Sequence, residues 1–330
     1  MLAGFLRHAA QRAVDAEFVA CTPWDRESQM RRFPNVRWLD DADETREGAL
    51  READVWLGLG DTPFQLDSGP WSLDHLERER HRCASLGKPM YFLGVGCESA
   101  EAALDTRTLE VLSAASRIWA RDAASSKLLR SQAPPGVVEE GSDLAHLVFD
   151  QPRRAEDVEA GTVGLALAFE RREQLNVGAL ERFVLETAQL RRVRWLVQDT
   201  RFLPYFERWN LAALTEAPRR LLDVMEIDYS AWSLDEFLEA FGAAEFVVSS
   251  RYHGALVAAW RGSRVAIVPR SSKLTGIAEQ FGLAKIDAAT SSAFGPDTIF
   301  ASRRVPDEAL LRARGLAERM CDAFWTVVGA

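Results

Sequence analysis

Four cationic side chains fall on two successive turns in the second half of the chain. Arg251 and His253 follow the apolar run Phe246-Val247-Val248-Ser249-Ser250, and Arg270 and Lys273 follow Val265-Ala266-Ile267-Val268-Pro269. Each run reads as a buried strand, and each turn passes directly into a helical pattern. The first helix is alanine-rich, and the second, over residues 274–281, is closed by Gly282. Two neighbouring strands that each end in a cationic turn and a helix start make an anion site. The first-turn N–H groups and the positive helix pole both favour phosphate or carboxylate. In open α/β sheets, ligands bind beyond the carboxyl ends of the strands. Singly, each Arg or Lys also reads as a solvated surface charge and His253 as a core histidine. Four such groups on consecutive turns bring the anion site level with those readings.

The elements that would hold these groups recur along the chain. An amphipathic helix opens the sequence, with Leu2, Phe5, Leu6, Ala9, Ala13 and Val14 on one face. Strand patterns follow at residues 18–21, 36–39, 54–60, 89–98 and 117–120, with an acidic helix over 40–53 and another helix over 71–86. The strand at 54–60 runs into Gly58-Leu59-Gly60-Asp61, and the one at 89–98 ends in Gly94-Val95-Gly96. These glycines permit close backbone approach to a ligand, so Gly60 and Gly96 are candidate binding positions beside the plainer reading of tight turns. They do not match the spaced dinucleotide fingerprint. At Arg121-Asp122, Asp122 is suited to cap the next helix, which leaves Arg121 at the strand's carboxyl edge as a candidate ligand. Glu98 and Asp143 read as helix-start carboxylates.

Residues 150–161 are poor in large apolar side chains and mark a linker. Strands then recur at 163–169, 193–199, 221–225, 245–250 and 265–269, with helices between them. Ser233-Leu234-Asp235-Glu236 has capping-box spacing. Residues 291–305 read as loop, and one long amphipathic helix over 306–328 ends the chain. Alternating strands and helices imply parallel sheets with right-handed crossovers. The expected division is 1–150 and 151–330, the last helix returning to the first domain.

The chain has 330 residues, with 40 basic against 49 acidic side chains and a net charge of −9. Nucleic acid is therefore not an expected partner. Cys21, Cys83, Cys97 and Cys321 lack metal or redox spacing, and His75 and His81 do not share a helix face, so no metal site is expected. No apolar run is long enough to cross a bilayer, and residues 1–20 lack a signal-peptide core. The expected location is cytoplasmic, including the inner membrane face as a peripheral protein.

Ser249-Ser250-Arg251-Tyr252-His253-Gly254-Ala255-Leu256, followed by an Ala-rich helix, a Val/Ile strand and Lys273, resembles the carboxy-terminal signature of the polysaccharide pyruvyl transferase family. Gly87-Lys88-Pro89 before the strand at 89–98, and Arg121-Asp122 with Ser125 beyond it, resemble that family's first half. The resemblance implies an α/β fold with two Rossmann-like, doubly wound domains facing across a cleft, as in GT-B glycosyltransferases. It implies transfer of a pyruvyl group from phosphoenolpyruvate to a saccharide acceptor, free or lipid-linked, with no cofactor. His253 and Arg251 would be catalytic, and Ser250, Arg121, Lys273, Arg270, Gly60 and Gly96 would bind substrate. The family usually opens with a strand and an Asn-x-Gly-Asp loop before the first helix. Neither stands in this sequence, so a truncated start or a variant lineage is expected. A nucleotide-sugar glycosyltransferase of the same shape and a non-catalytic saccharide- or partner-binding member are the competing readings.

Overall fold

The computed structural model describes residues 1–23, 26–66, 72–154, 157–168, 176–197, 206–226, 234–242, 244–287 and 295–329. The chain forms two compact units. One is Met1–Asp150 with Leu311–Ala330, and the other is Gln151–Leu310.

The first unit opens with α1 (Leu2–Gln11), β1 (Phe18–Cys21), α2 (Arg26–Arg32), β2 (Val36–Leu39), α3 (Asp43–Glu52) and β3 (Trp56–Leu59). It continues with α4 (Leu73–Leu86), β4 (Met90–Val95), α5 (Ala100–Leu104), α6 (Thr106–Ala114), β5 (Arg117–Ala120), α7 (Ala123–Arg130) and β6 (Val138–Glu140). A short 3-10 helix, Leu144–Val148, closes it. All pairings are parallel, in a β1-β2 pair and a sheet of order β3-β4-β5-β6.

Strand β4 is buried along its whole length, and its alternating side chains feed two cores. Met90 and Phe92 pack with Phe64, Leu76, Val111 and Ile118 beneath α4 and α6. Tyr91 and Leu93 face the other way, against Phe5, Trp119, Leu144, Phe324 and Trp325. Gly94, at φ +66, lets the strand bulge where its register against β5 shifts. Helix α1 lies so close to the 3-10 helix that a Cβ on Gly4 would collide with the Leu144 carbonyl oxygen.

The second unit contains β7 (Glu159–Ala166), α8 (Val177–Ala188), β8 (Arg192–Val197), α9 (Phe206–Ala213), α10 (Glu216–Arg220), β9 (Leu222–Glu226) and α11 (Leu234–Gly242). Then come β10 (Ala244–Ser249), α12 (Tyr252–Trp260), β11 (Arg264–Ile267), α13 (Ser272–Phe281), β12 (Ala284–Lys285) and α14 (Pro296–Phe300). Its six parallel strands run in the order β12-β11-β10-β7-β8-β9. The chain builds outward from β7 through β8 to β9, then restarts on the opposite side at β10. That reversal is a topological switch point between β7 and β10. Val163, Leu165, Trp195, Phe246 and Val248 fill the core with Leu180 and Phe183 of α8.

Helix α15 (Asp307–Val328) begins in the second unit and ends in the first, where Ala317, Met320, Cys321, Phe324 and Trp325 complete the core around Phe5. The Phe5 and Trp325 rings stack at 5.2 Å.

Helices α5 and α6, α2 and α14 lie where the sequence pattern marked no helix; α14 replaces part of the loop expected over 291–305. Asp105, between α5 and α6, accepts from the Arg107 amide and restarts the helix, which breaks the apolar period. Pro296 similarly opens α14. Trp71 and the capping-box Ser233 lie outside the described residues.

Candidate active site

The switch point is tied together by a serine. Ser250 is fully buried at the end of β10, and its hydroxyl donates to the Ala168 carbonyl (2.9 Å) and accepts from the Ala168 amide (2.7 Å). Its own amide donates to the Ala166 carbonyl at 3.0 Å. Ser249, equally buried, turns the chain: its hydroxyl accepts from the Arg251 amide (3.0 Å) and donates to the Arg251 carbonyl (2.9 Å). Together these bonds fix where β10 stops and α12 starts.

Helix α12 is apolar all round and is buried on every side. His253, in its first turn, is the one residue of the helix that is not buried. It is half-buried, with its Nε2 shielded from solvent. The Tyr252 ring, itself buried, meets the imidazole edge-on, with centroids 5.3 Å apart and planes at 88°. Arg251 occupies the N-cap position at φ −109° and ψ 128°, and makes no side-chain cap to the helix. A guanidinium has no acceptor, so it leaves the α12 amides to another partner.

Strand β11 pairs with β10 in register, Ser249 opposite Ile267, so the turn after β11 lies beside the turn after β10. Arg270 crosses between them, its Nε donating to the Ser250 carbonyl at 3.0 Å. Helix α13 starts one residue after Ser271, whose hydroxyl also makes no cap; Lys273 stands half-buried in the first turn. Ser250, Arg251, His253, Arg270 and Lys273 are thus gathered at one sheet edge, on two adjacent helix starts. That edge combines two positive helix poles with three permanent cations and one group suited to proton transfer.

Gly60, Gly96 and Arg121 are gathered at the carboxyl edge of the first unit's sheet. The Arg121 side chain is 2 % exposed. Its Nη1 donates to the Asp61 carbonyl (3.2 Å) and its Nε to Asp122 Oδ2 (3.3 Å). The guanidinium fills the space over Gly96, where a Cβ would come within 2.5 Å of Nη2. The space over Gly60, at φ +64, is taken by the Met1 thioether. Asp122 caps α7 through the Ser125 amide at 2.8 Å. Arg121 therefore joins the turns after β3, β4 and β5 into one block.

Burial raises all four cysteine thiols above their ordinary value. Burial pushes the Cys97 thiol up to about 11 and those of Cys83 and Cys321 up to about 12. Among the described residues, no group of three or more His, Cys, Asp or Glu is placed to hold a metal ion. No helix among them is long and apolar enough to cross a membrane.

Two residues at these edges escaped the sequence reading. Ser249 reads as part of the strand, although its turn-forming role follows from a serine preceding Arg251 by two. The position of Asp61 depends on a backbone angle that residue types do not disclose.

Two parallel-sheet units, one with a cationic switch-point edge, define an α/β protein of the GT-B class with two Rossmann-like domains. Solved structures agree on that fold. The UDP-GlcNAc 2-epimerase of Methanocaldococcus jannaschii matches with a TM-score of 0.65 at 12% identity, over 100% of this chain and 96% of that one. HepE of Anabaena, in complex with UDP and glucose, matches at 0.63 and 9% identity over 99% and 95%. The UDP-GlcNAc 2-epimerase of Neisseria meningitidis, bound to UDP-GlcNAc, matches at 0.60 and 10% identity over 99% and 95%. At such identities the likeness concerns the fold alone. No curated protein matches the chain in sequence. The family model for polysaccharide pyruvyl transferase matches residues 1–259, and the chain belongs to that family.

Proposed function

We propose that this protein transfers the pyruvyl group of phosphoenolpyruvate to two hydroxyls of a saccharide, forming a cyclic ketal and releasing phosphate. The observation that carries this reading is the pairing of Arg251 and His253 at the start of α12 with Arg270 and Lys273 beside the start of α13. The donor carries a carboxylate and a phosphate, and both need fixed cations and N–H groups. Arg251 and Lys273 bind the donor's anionic groups. Arg270 assists from its seat on the Ser250 carbonyl, and Ser250 holds the floor of the site.

His253 serves as acid and base. A proton goes to the methylene carbon of the donor, which becomes a methyl group, and the cation at the central carbon is attacked by one sugar hydroxyl. The C–O bond to phosphate breaks, and a second hydroxyl closes the ring. Of the two hydroxyl protons, one balances the proton given to the methylene and the other leaves with phosphate. A histidine near neutrality is suited to both directions of transfer. No resident cofactor is needed. The acceptor is a saccharide, free or lipid-linked, and an enzyme meeting phosphoenolpyruvate works in the cytoplasm or at the inner membrane face.

Phosphate release from phosphoenolpyruvate, measured with a panel of glycosides, tests the reading. Wild-type turnover that disappears in His253→Ala supports it. The nucleotide-bound state of the HepE and Neisseria structures favours a second reading, a nucleotide-sugar enzyme. Thermal stabilisation by UDP- or GDP-sugars, with none by phosphoenolpyruvate, would replace the first reading with the second.

A further inference from the structure

The turn after β3 contains a carboxylate held in a way that turn-making does not explain. Asp61 sits at φ +61, directly after Gly60 at φ +64. Among the described residues it is one of two non-glycines in the left-handed region, the other being Ala13. A side chain there costs free energy that glycine avoids, although aspartate tolerates it better than most residues. The peptide around it is locked. The Asp61 carbonyl accepts from the Gly96 amide (2.8 Å) and from Arg121 Nη1 (3.2 Å), while its amide points at the Met1 sulfur at 3.0 Å. With both backbone groups engaged, the direction of the Cα–Cβ bond is set by three separate turns.

The carboxylate so aimed is half-buried, and among the described residues no hydrogen bond or ion pair reaches it. The nearby guanidinium of Arg121 is turned instead to Asp122 and to the Asp61 backbone. A glycine would serve the turn with less strain. Asp61 lies at the carboxyl edge of a parallel sheet, where α/β proteins take their ligands. A rigid, partly desolvated carboxylate that lacks a protein donor is suited to accept from hydroxyl groups.

We propose that Asp61 is a saccharide-binding residue whose two oxygens accept hydrogen bonds from sugar hydroxyls. This rests on the reading of the substrate as a saccharide. Arg121 is then a positioning residue that acts through the Asp61 peptide.

Two variants test it, Asp61→Gly and Asp61→Asn, each with two readouts. Melting temperature reports the turn, and Asp61→Gly is expected to melt at or above the wild-type temperature because the left-handed strain is relieved. Binding of methyl glucoside, methyl galactoside and methyl mannoside by saturation-transfer NMR reports the site. The expected result is at least about 10-fold weaker binding in Asp61→Gly, with intermediate loss in Asp61→Asn, which keeps the shape but surrenders one acceptor oxygen. Where phosphoenolpyruvate turnover is present, the KM for the glycoside rises similarly and that for phosphoenolpyruvate stays put. Glycoside binding equal in wild type and Asp61→Gly, or no wild-type binding to any of the three, overturns the proposal. Binding lost in Asp61→Gly while wild type releases no phosphate leaves Asp61 in place and removes pyruvyl transfer instead.

Discussion

Replacing Ser250 by alanine removes one oxygen atom, yet the effect should be large for so small a deletion. That oxygen donates to the Ala168 carbonyl and accepts from the Ala168 amide, and both residues are fully buried. Water cannot reach in to substitute. Each hydrogen bond is worth about 1 kcal/mol net, and a buried group left unmade costs about 1–3 kcal/mol. Two orphaned groups place the loss at about 2–4 kcal/mol. Hydrogen exchange followed by mass spectrometry reads this locally, on a peptide spanning residues 163–168. At about 1.4 kcal/mol per decade, a loss of 2 kcal/mol speeds exchange about 30-fold. Peptides from β4, in the other unit, serve as the control and should not change. If Ser250→Ala leaves exchange around Ala168 and the urea midpoint of the second unit at wild-type values, the tie between β10 and β7 is not what holds this edge.

Three other outcomes follow from the same structure. His253→Ala should lower turnover about 10²–10⁴-fold, far more than the modest loss of stability expected from removing a half-buried ring that meets Tyr252; steady-state phosphate release and a thermal scan separate the two. Gly4→Ala should destabilise by about 1–3 kcal/mol in urea titration despite alanine's better helix propensity, because its Cβ would strike the Leu144 carbonyl. Burial holds His8 below the ordinary histidine value of 6.5, against the opposing pull of Asp322. Its neutral form therefore supports the fold above that value, and the support is lost as pH falls below it. Melting temperature between about pH 7.5 and pH 5 should drop in wild type and flatten in His8→Gln.

The strand-turn-helix units were legible because the apolar runs around Phe92 and Val247 are buried on both sheet faces and need no alternation to be recognised. Asp122 as a cap followed from its place between a strand and a helix, and the structure puts the bond there. The α5–α6 break was not legible, because Asp105 resembles any surface carboxylate until its amide partner is known. Arg121 and Asp61 mark the deeper limit. One is buried and the other strained through contacts among three turns that lie far apart in sequence. Residue types placed the cationic edge of the second unit on the chain, but they could not say that Ser250 is a tie rather than a surface hydroxyl.

The long final helix has a consequence for synthesis. Phe5 and Trp325 belong to the same stack, so the core around Phe5 waits for a segment made much later in the chain. The carboxy-terminal half can collapse around Phe183 and Phe246 while that wait continues, which reverses the usual amino-first order of a nascent chain. Disrupting the turns around Trp325 would therefore be felt first around Phe5, far away in sequence.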